Sequence, residues 1–289
     1  MKYQTTIDTV SIQIDLQEER KREGILDNLL SLLRNNNLYI EHNGYSTTLY
    51  SNFYVQEYKA YANKVVMVSI KVGSYSYRDR YTGQILTIYY IALKFAGIQR
   101  YDEHLDKKAN ELLFGICAYL NRQNIIFKLT GLDVALDLFT DFSKVLALCT
   151  KKSPTTTYYA ANEAQIYHLT TYIEKLSQYQ YHKAVQKAYL YDKSAKEQLA
   201  KKLTRFEVKL QSLFFQKNRY NNIAAIIKAL DKYHVMYVPQ IKQKQYLMDA
   251  YDKHHILRQR DIKKIGFDDY RCYYDIPVIV NFIKQLYTV

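Results

Sequence analysis

The chain has 289 residues, enough for one large domain or for a domain with a small appendage. Its 48% apolar content excludes wholesale disorder, and no apolar run approaches the roughly 18 residues that a transmembrane helix requires. Lys and Arg number 41 against 28 Asp and Glu, and the resulting net charge of +13 indicates a polyanionic partner, most often nucleic acid.

The first half of the chain alternates strand and helix patterns. Polar and apolar residues alternate from Thr6 to Leu16, which predicts a half-buried strand, and a helical apolar stripe follows from Glu18 to Asn35. Four further strands and a second helix are predicted at about 37–42, 47–58, 62–73, 84–96 and 104–122.

The second half begins with a strand from Ile125 to Phe139 and a short helix at about 141–149. Strands are then predicted at about 156–160, 165–175, 186–192 and 203–210. Helices follow at 218–231, 241–251 and 277–287, with one weaker strand signal at 234–238. This order predicts an α+β fold, a mostly antiparallel sheet with flanking helices, divided into a domain at 1–215 and a helical C-terminal extension at 216–289.

Two carboxylates share one face of the predicted strand 125–139. Asp133 and Asp137 alternate with apolar residues and are separated by the small Ala135, which predicts an open acidic floor. The two lie roughly 13 Å apart along an ideal strand, so only one of them is expected to ligate a given metal ion. The alternative is a solvated strand face.

A tyrosine and a glutamate have the same parity in the predicted strand 165–175. Tyr172 and Glu174 would lie on one polar face, where a tyrosine can act as a nucleophile. The alternative is a tyrosine that only packs against its neighbours.

The last two predicted strands carry most of the remaining charge. In the strand 203–210, Arg205, Glu207 and Lys209 point one way and apolar residues point the other. In the strand before it, Lys187 and Lys193 share a face with two tyrosines, and a lysine at a strand end can neutralise a phosphate. Glu207 is interpreted as a metal ligand or as an ion-paired strand glutamate.

The order of these short blocks resembles the replication initiation factor family, the tyrosine nickases that start rolling-circle replication in Gram-positive plasmids and some filamentous phages. The blocks lie within residues 5–215: Ile7-Asp-Thr-Val-Ser-Ile12, Leu132-Asp-Val-Ala-Leu-Asp137, Thr171-Tyr-Ile173, Tyr189-Leu-Tyr-Asp-Lys193 and Arg205-Phe-Glu-Val-Lys-Leu210. The resemblance implies an enzyme that nicks and rejoins DNA at a supercoiled or single-stranded origin through a phosphotyrosine.

The position that matches the nucleophile of the family is Tyr172. The family usually has Gly and Ser close after this tyrosine, whereas Ile173-Glu-Lys175 follows here. Tyr158 and Tyr159 therefore stay open as alternative nucleophiles.

The resemblance also implies a cofactor. Asp133 or Asp137, together with Glu207, matches the acidic residues that hold a divalent ion, and carboxylate ligands favour Mg²⁺ or Mn²⁺. Lys193 and Arg205 match basic residues near the phosphate.

The expected partner is origin DNA, contacted through phosphates by Lys187, Lys201, Lys202 and Lys209. Host replication machinery and a second copy of the chain are further expected partners, a membrane is not, and the bacterial cytoplasm is the expected location. A second hypothesis is a DNA-binding protein of the same fold without chemistry, such as a plasmid or phage regulator. A third is a basic structural or interaction protein.

Overall fold

The computed structural model describes residues 1–48, 51–150, 158–160, 170–173, 186–219, 222–254, 259–264 and 271–288. The fold is α+β, with mostly antiparallel strands, flanking helices and a helix near the C-terminal end, as predicted. No helix within the described residues combines the length and the apolar character that a membrane span requires.

The chain divides into two compact units. The amino-terminal unit contains Asp8–Leu132 and Asn281–Val289, and the carboxyl-terminal unit contains Met1–Ile7 and Asp133–Val280. The predicted domains at 1–215 and 216–289 stay a prediction.

Two helices and a strand meander build the amino-terminal unit. In chain order the elements are β1 (Tyr3–Leu16), α1 (Glu19–Asn35), β2 (Tyr39–Thr48), β3 (Ser51–Ala62), β4 (Val65–Arg78), β5 (Ile85–Ala96), α2 (Glu103–Arg122) and β6 (Phe127–Leu138), of which β1 counts from Asp8 and β6 up to Leu132. The strand order is β2-β3-β4-β5-β1-β6, and consecutive strands from β2 to β5, as well as β5 with β1, pair antiparallel. The core lies where α1 packs on β2 and β5.

The turn between β3 and β4 was missed by the sequence pattern. Asn63 and Lys64, predicted as part of a strand at 62–73, both have positive φ, +48° and +66°. They form a two-residue connection, because Ala62 pairs directly with Val65. A pair of positive-φ residues is the geometry of a tight hairpin turn, so the strands begin and end several residues later than predicted.

The connection after β5 depends on a glycine. Gly97 has φ of +65°, a backbone conformation that residues with a Cβ rarely adopt. The guanidinium of Arg100 lies against it and donates hydrogen bonds to the carbonyls of Gly97 at 2.8 Å, Val66 at 3.0 Å and Ala96 at 2.5 Å. Three backbone acceptors are thereby satisfied by one side chain.

The carboxyl-terminal unit holds the polar strands. After β6 the elements are β7 (Val145–Cys149), β8 (Tyr158–Ala160), β9 (Thr170–Ile173), β10 (Gln186–Asp192), α3 (Lys193–Glu197), β11 (Thr204–Leu210), α4 (Ser212–Lys217), α5 (Ile223–Leu230), β12 (Tyr233–Tyr237), α6 (Ile241–His254), α7 (Gln259–Lys263), β13 (Arg271–Cys272) and α8 (Ile276–Tyr287), of which α8 belongs to this unit up to Val280. The strand orders are β1-β6-β11-β10-β9-β8 and β13-β12-β7.

The short helix predicted at 141–149 is wrong. Only a single 3-10 turn, Phe142–Lys144, is helical, and Val145–Cys149 forms β7. All five residues of β7 are buried, and the strand pairs antiparallel with β12. A short apolar run fits a helix and a buried strand equally well, so the pairing partner decides.

The apolar side of β11 packs as predicted. Phe206, Val208 and Leu210 are buried, and the ring of Phe206 meets that of Tyr233 edge to face at 5.4 Å. These residues leave the opposite face of β11 to its charged side chains.

Candidate functional site

The candidate site lies on β6, β11 and β10, which are neighbours in the strand order. In the antiparallel register of β10 and β11, Tyr191 pairs with Arg205 and Tyr189 pairs with Glu207. Lys187 pairs with Lys209 one step further along. The polar residues of these strands therefore form transverse rows.

Two ion pairs connect β11 to β6. Arg205 binds Asp137 and Lys209 binds Asp133. The two pairs run in opposite directions along the strands, since residue 205 meets 137 and residue 209 meets 133. These pairs place Glu207 level with Ala135, the small residue between the two aspartates. The predicted floor is present, but it is buried and not open, because each aspartate is covered by a cation from β11.

The Arg205–Asp137 ion pair is fully buried. The guanidinium binds both carboxylate oxygens, Nε to Oδ1 at 2.6 Å and Nη2 to Oδ2 at 2.7 Å, and both side chains are 0% exposed. The Thr6 hydroxyl donates a third hydrogen bond to Asp137 Oδ2 at 2.9 Å. A bidentate arrangement with an added donor satisfies the charge that burial would otherwise penalise.

The second cluster joins two carboxylates through one ammonium. Lys209 Nζ lies 3.0 Å from Asp133 Oδ2 and 3.2 Å from Glu207 Oε1. Tyr191 donates its hydroxyl to Glu207 Oε2 at 2.9 Å. Burial acts to lower the pKa of Lys209, but Glu207 and Asp133 outweigh it and raise that pKa well above its ordinary value. The lysine is therefore charged throughout the physiological range.

A tyrosine lines one side of this cluster. The Lys209 ammonium lies over the ring of Tyr189, 5.7 Å from the centroid, a cation–π geometry. The tyrosines of β10 thus contact the charged cluster, one through its ring and Tyr191 through its hydroxyl.

The backbone of Tyr172 lies in the same transverse row as Glu207. Tyr172 pairs with Tyr189 on β10, and Tyr189 pairs with Glu207 on β11. On the other side, Tyr159 pairs with Tyr172. Two of the three candidate nucleophiles therefore occupy this row, and Tyr158 pairs with Ile173 in the adjacent one.

The other predicted basic residues take different positions. Lys193 is the first residue of α3, is buried, and lies 3.4 Å from Glu197. Lys187 is buried on β10. Lys201 is exposed, and Lys202 lies on the surface 3.5 Å from Asp141. Their predicted roles at phosphates stay predictions.

Sequence reasoning missed two contacts that shape the site. Thr6 and Tyr191 each donate a hydroxyl to a predicted ion ligand. The ammonium of Lys209 contacts two of the predicted ion ligands, Asp133 and Glu207, and its predicted contact with DNA stays a prediction. The shared four-residue spacing of the charges on β6 and β11 was a readable signal for these pairs.

The described residues do not fit a divalent ion as they stand. Within them, no group of three or more His, Cys, Asp or Glu side chains is arranged to hold a metal. Both oxygens of Asp137 are engaged by Arg205 and Thr6, and Lys209 already lies between Asp133 and Glu207.

No protein-family model matches the chain, and no curated protein matches it. Among solved structures it is similar to the rolling circle replication initiator protein from Geobacillus stearothermophilus, with 12% identity over 92% of this chain and 96% of that chain and a TM-score of 0.40. A fainter likeness, 8% identity over 89% and 87% of the two chains with a TM-score of 0.13, is to the S. pombe Pct1 RNA triphosphatase in complex with the Spt5 CTD. At these values neither likeness bears on activity.

Proposed function

We propose that this protein is a rolling-circle replication initiator that nicks and rejoins a DNA strand at an origin, with Tyr172 as the nucleophile. The observation that carries the proposal is the register in which Tyr172, Tyr189 and Glu207 follow one another across three strands. The backbone of a tyrosine is thereby aligned with a cluster of cations and carboxylates, groups that phosphoryl transfer requires.

In the proposed reaction the phenolic oxygen of Tyr172 attacks a DNA phosphorus atom. The bond from phosphorus to the 3′ oxygen breaks, the phenol proton is lost to a base or solvent, and the leaving 3′ oxygen gains a proton. The products are a 5′-phosphotyrosine and a free 3′ hydroxyl. Attack by the 3′ hydroxyl on the phosphotyrosine reverses each step and rejoins the strand.

Neighbouring positive charge is the requirement of this step. A phenol titrates near pH 10, so a cation must favour its ionised form and offset the charge that develops on the phosphate. Lys209 and Arg205 are the cations of β11 that flank Glu207 in this row. The resemblance implies the same role for Lys193. Mg²⁺ or Mn²⁺ at Asp133 and Glu207 stays a prediction.

The rest of the proposal concerns the partner. A net charge of +13 favours a polyanion, and origin DNA, single-stranded or supercoiled, is the proposed one. Host replication proteins, a second copy of the chain and the bacterial cytoplasm stay predictions.

The test is covalent capture. The purified chain is incubated with a pool of randomised single-stranded oligonucleotides and Mn²⁺, and adducts that survive denaturing electrophoresis are collected and sequenced. We expect an adduct whose DNA shares one sequence, and Tyr172→Phe is expected to abolish it. Tyr189→Phe is the matched control, since it removes a hydroxyl from the adjacent position of the same row and is expected to keep the adduct.

The alternatives give different outcomes. An adduct that persists in Tyr172→Phe but is lost in Tyr159→Phe or Tyr158→Phe would move the nucleophile to that residue. No adduct with any metal, together with salt-sensitive DNA binding, would favour the non-catalytic DNA-binding protein. That second function is supported by one observation: the carboxylates expected to serve a metal are already bound to Arg205 and Lys209.

A further inference from the structure

The Lys209 ammonium occupies the space that a bridging ion would need. It lies 3.0 Å from an oxygen of Asp133 and 3.2 Å from an oxygen of Glu207. A Mg²⁺ ion bound to the same two oxygens would sit at about 2.0–2.1 Å from each, between them. The ammonium and the ion cannot both fit there.

Charge leads to the same conclusion. The two carboxylates carry two negative charges, and one is already balanced by Lys209. A divalent ion beside the ammonium would place three positive charges against two negative ones where Asp133 and Glu207 are only 9% and 5% exposed. In such surroundings the repulsion between the ion and the ammonium is weakly screened.

The two cations of β11 differ in their freedom to leave. The Arg205 side chain is fully buried, whereas Lys209 is 34% exposed. A lysine has a flexible four-carbon stem, so its head can turn to water while the stem keeps its packing. The cation bound to Asp133 and Glu207 can therefore be exchanged, whereas the cation bound to Asp137 cannot.

We propose that the Lys209 ammonium is the resident cation of the Asp133–Glu207 pair, and that a divalent ion binds these carboxylates only after the ammonium has left. The inference rests on the proposed function only in taking a divalent ion as the competitor. Lys209 is thus assigned to positioning the two carboxylates and to excluding metal from them, in addition to its predicted contact with DNA.

The test measures ion binding by the full chain, without DNA. Free Mn²⁺ is followed by electron paramagnetic resonance while wild type, Lys209→Met and the double variant Lys209→Met/Glu207→Gln are titrated. We expect Lys209→Met to bind Mn²⁺ about tenfold more tightly than wild type or better, since the ion no longer competes with charge-assisted hydrogen bonds. The Glu207 substitution is expected to remove that gain.

Two controls separate this effect from a general change in charge. Lys202→Met removes a surface lysine that pairs with Asp141, and it is expected to leave the Mn²⁺ affinity at the wild-type level. Lys209→Arg keeps a cation and is expected to bind Mn²⁺ as weakly as wild type. A Lys209→Arg affinity equal to that of Lys209→Met would overturn the proposal.

The Mn²⁺ affinity of the wild-type chain tests the proposed role of Lys209 even where a Lys209 variant does not fold. Tight Mn²⁺ binding by wild type that Glu207→Gln abolishes would refute the resident-cation role, and the absence of Glu207-dependent binding below millimolar Mn²⁺ would support it. A folded Lys209→Met that gains no affinity would also refute it. Because the Mn²⁺ titration contains no DNA, a negative titration does not affect the proposed nicking activity. A negative covalent-capture experiment likewise does not affect the proposed role of Lys209.

Discussion

The fully buried ion pair of Arg205 and Asp137 provides the sharpest prediction for stability. Arg205→Met removes the guanidinium and leaves the Asp137 carboxylate buried without its bidentate partner, while the Thr6 hydroxyl still donates to it. Breaking a buried ion pair by removing one partner costs about 3–5 kcal/mol, because the other charge stays uncompensated. Since 1 kcal/mol corresponds to about 2–4 °C for a domain of this size class, the unfolding midpoint should fall by about 6 °C or more.

Removing the ion pair together with the Thr6 hydroxyl should restore most of the loss. The triple variant Arg205→Met, Asp137→Leu and Thr6→Val removes the guanidinium, the carboxylate and the hydroxyl at once. Replacement of a buried ion pair by apolar residues of similar volume is often neutral or stabilising. The triple variant is therefore expected to be more stable than Arg205→Met alone, although it has two further substitutions.

Urea unfolding followed by far-ultraviolet circular dichroism measures both effects, provided the denaturant slope stays unchanged. Lys202→Met serves as control, since its pair with Asp141 is exposed and should contribute at most about 1 kcal/mol. A loss below about 1 kcal/mol for Arg205→Met, comparable to the surface control, would refute the buried-pair reasoning.

Three further outcomes are expected. Gly97→Ala should destabilise more than Gly83→Ala in thermal melts. Both glycines have positive φ, +65° and +70°, but the new Cβ at Gly97 would lie 2.5 Å from the Arg100 guanidinium, whereas at Gly83 the Arg78 guanidinium is 3.9 Å away. Burial lowers the pKa of His234 to about 4, so the unfolded state binds more protons than the folded state between about pH 4 and 6.5. The free energy of unfolding should therefore fall as the pH drops through that window. In His234→Phe the urea midpoint should depend less on pH there, and an unchanged dependence would contradict this. If Lys201 and Lys202 both contact single-stranded DNA phosphates, replacing both with Ala should lower the log–log salt slope of binding, measured by fluorescence anisotropy, by about 1.4, and an unchanged slope would exclude them.

Local patterns predicted the elements that bury one face. The alternation along β11 assigned Arg205, Glu207 and Lys209 to one side, and the structure confirms that assignment. The helix predicted at 104–122 is observed at Glu103–Arg122, where Asp102 accepts the backbone N–H of Leu105 as an N-cap. Periodicity suffices in both cases because each element has a single apolar side.

Local patterns do not predict which strands pair or which charges meet. Val145–Cys149 is buried throughout, so its conformation depends on its pairing with β12. The paired residues Cys149 and Tyr233 are more than 80 residues apart in the sequence. The burial of Asp133 and Asp137 likewise depends on cations from a strand about 70 residues later. These are long-range contacts, and a reading of one segment at a time does not contain them.

The four-residue spacing shared by β6 and β11 has a consequence for how the two strands choose their alignment during folding. In the native alignment Arg205 faces Asp137, Lys209 faces Asp133, and Glu207 falls between the two aspartates. A slip by two residues in either direction keeps every side chain on its own face of the sheet, so hydrophobic patterning alone would not oppose it. It would, however, bring Glu207 opposite an aspartate and leave neither Arg205 nor Lys209 opposite one. Electrostatic repulsion thereby disfavours the misaligned pairings that the alternating pattern permits, and these charges specify one alignment of the sheet.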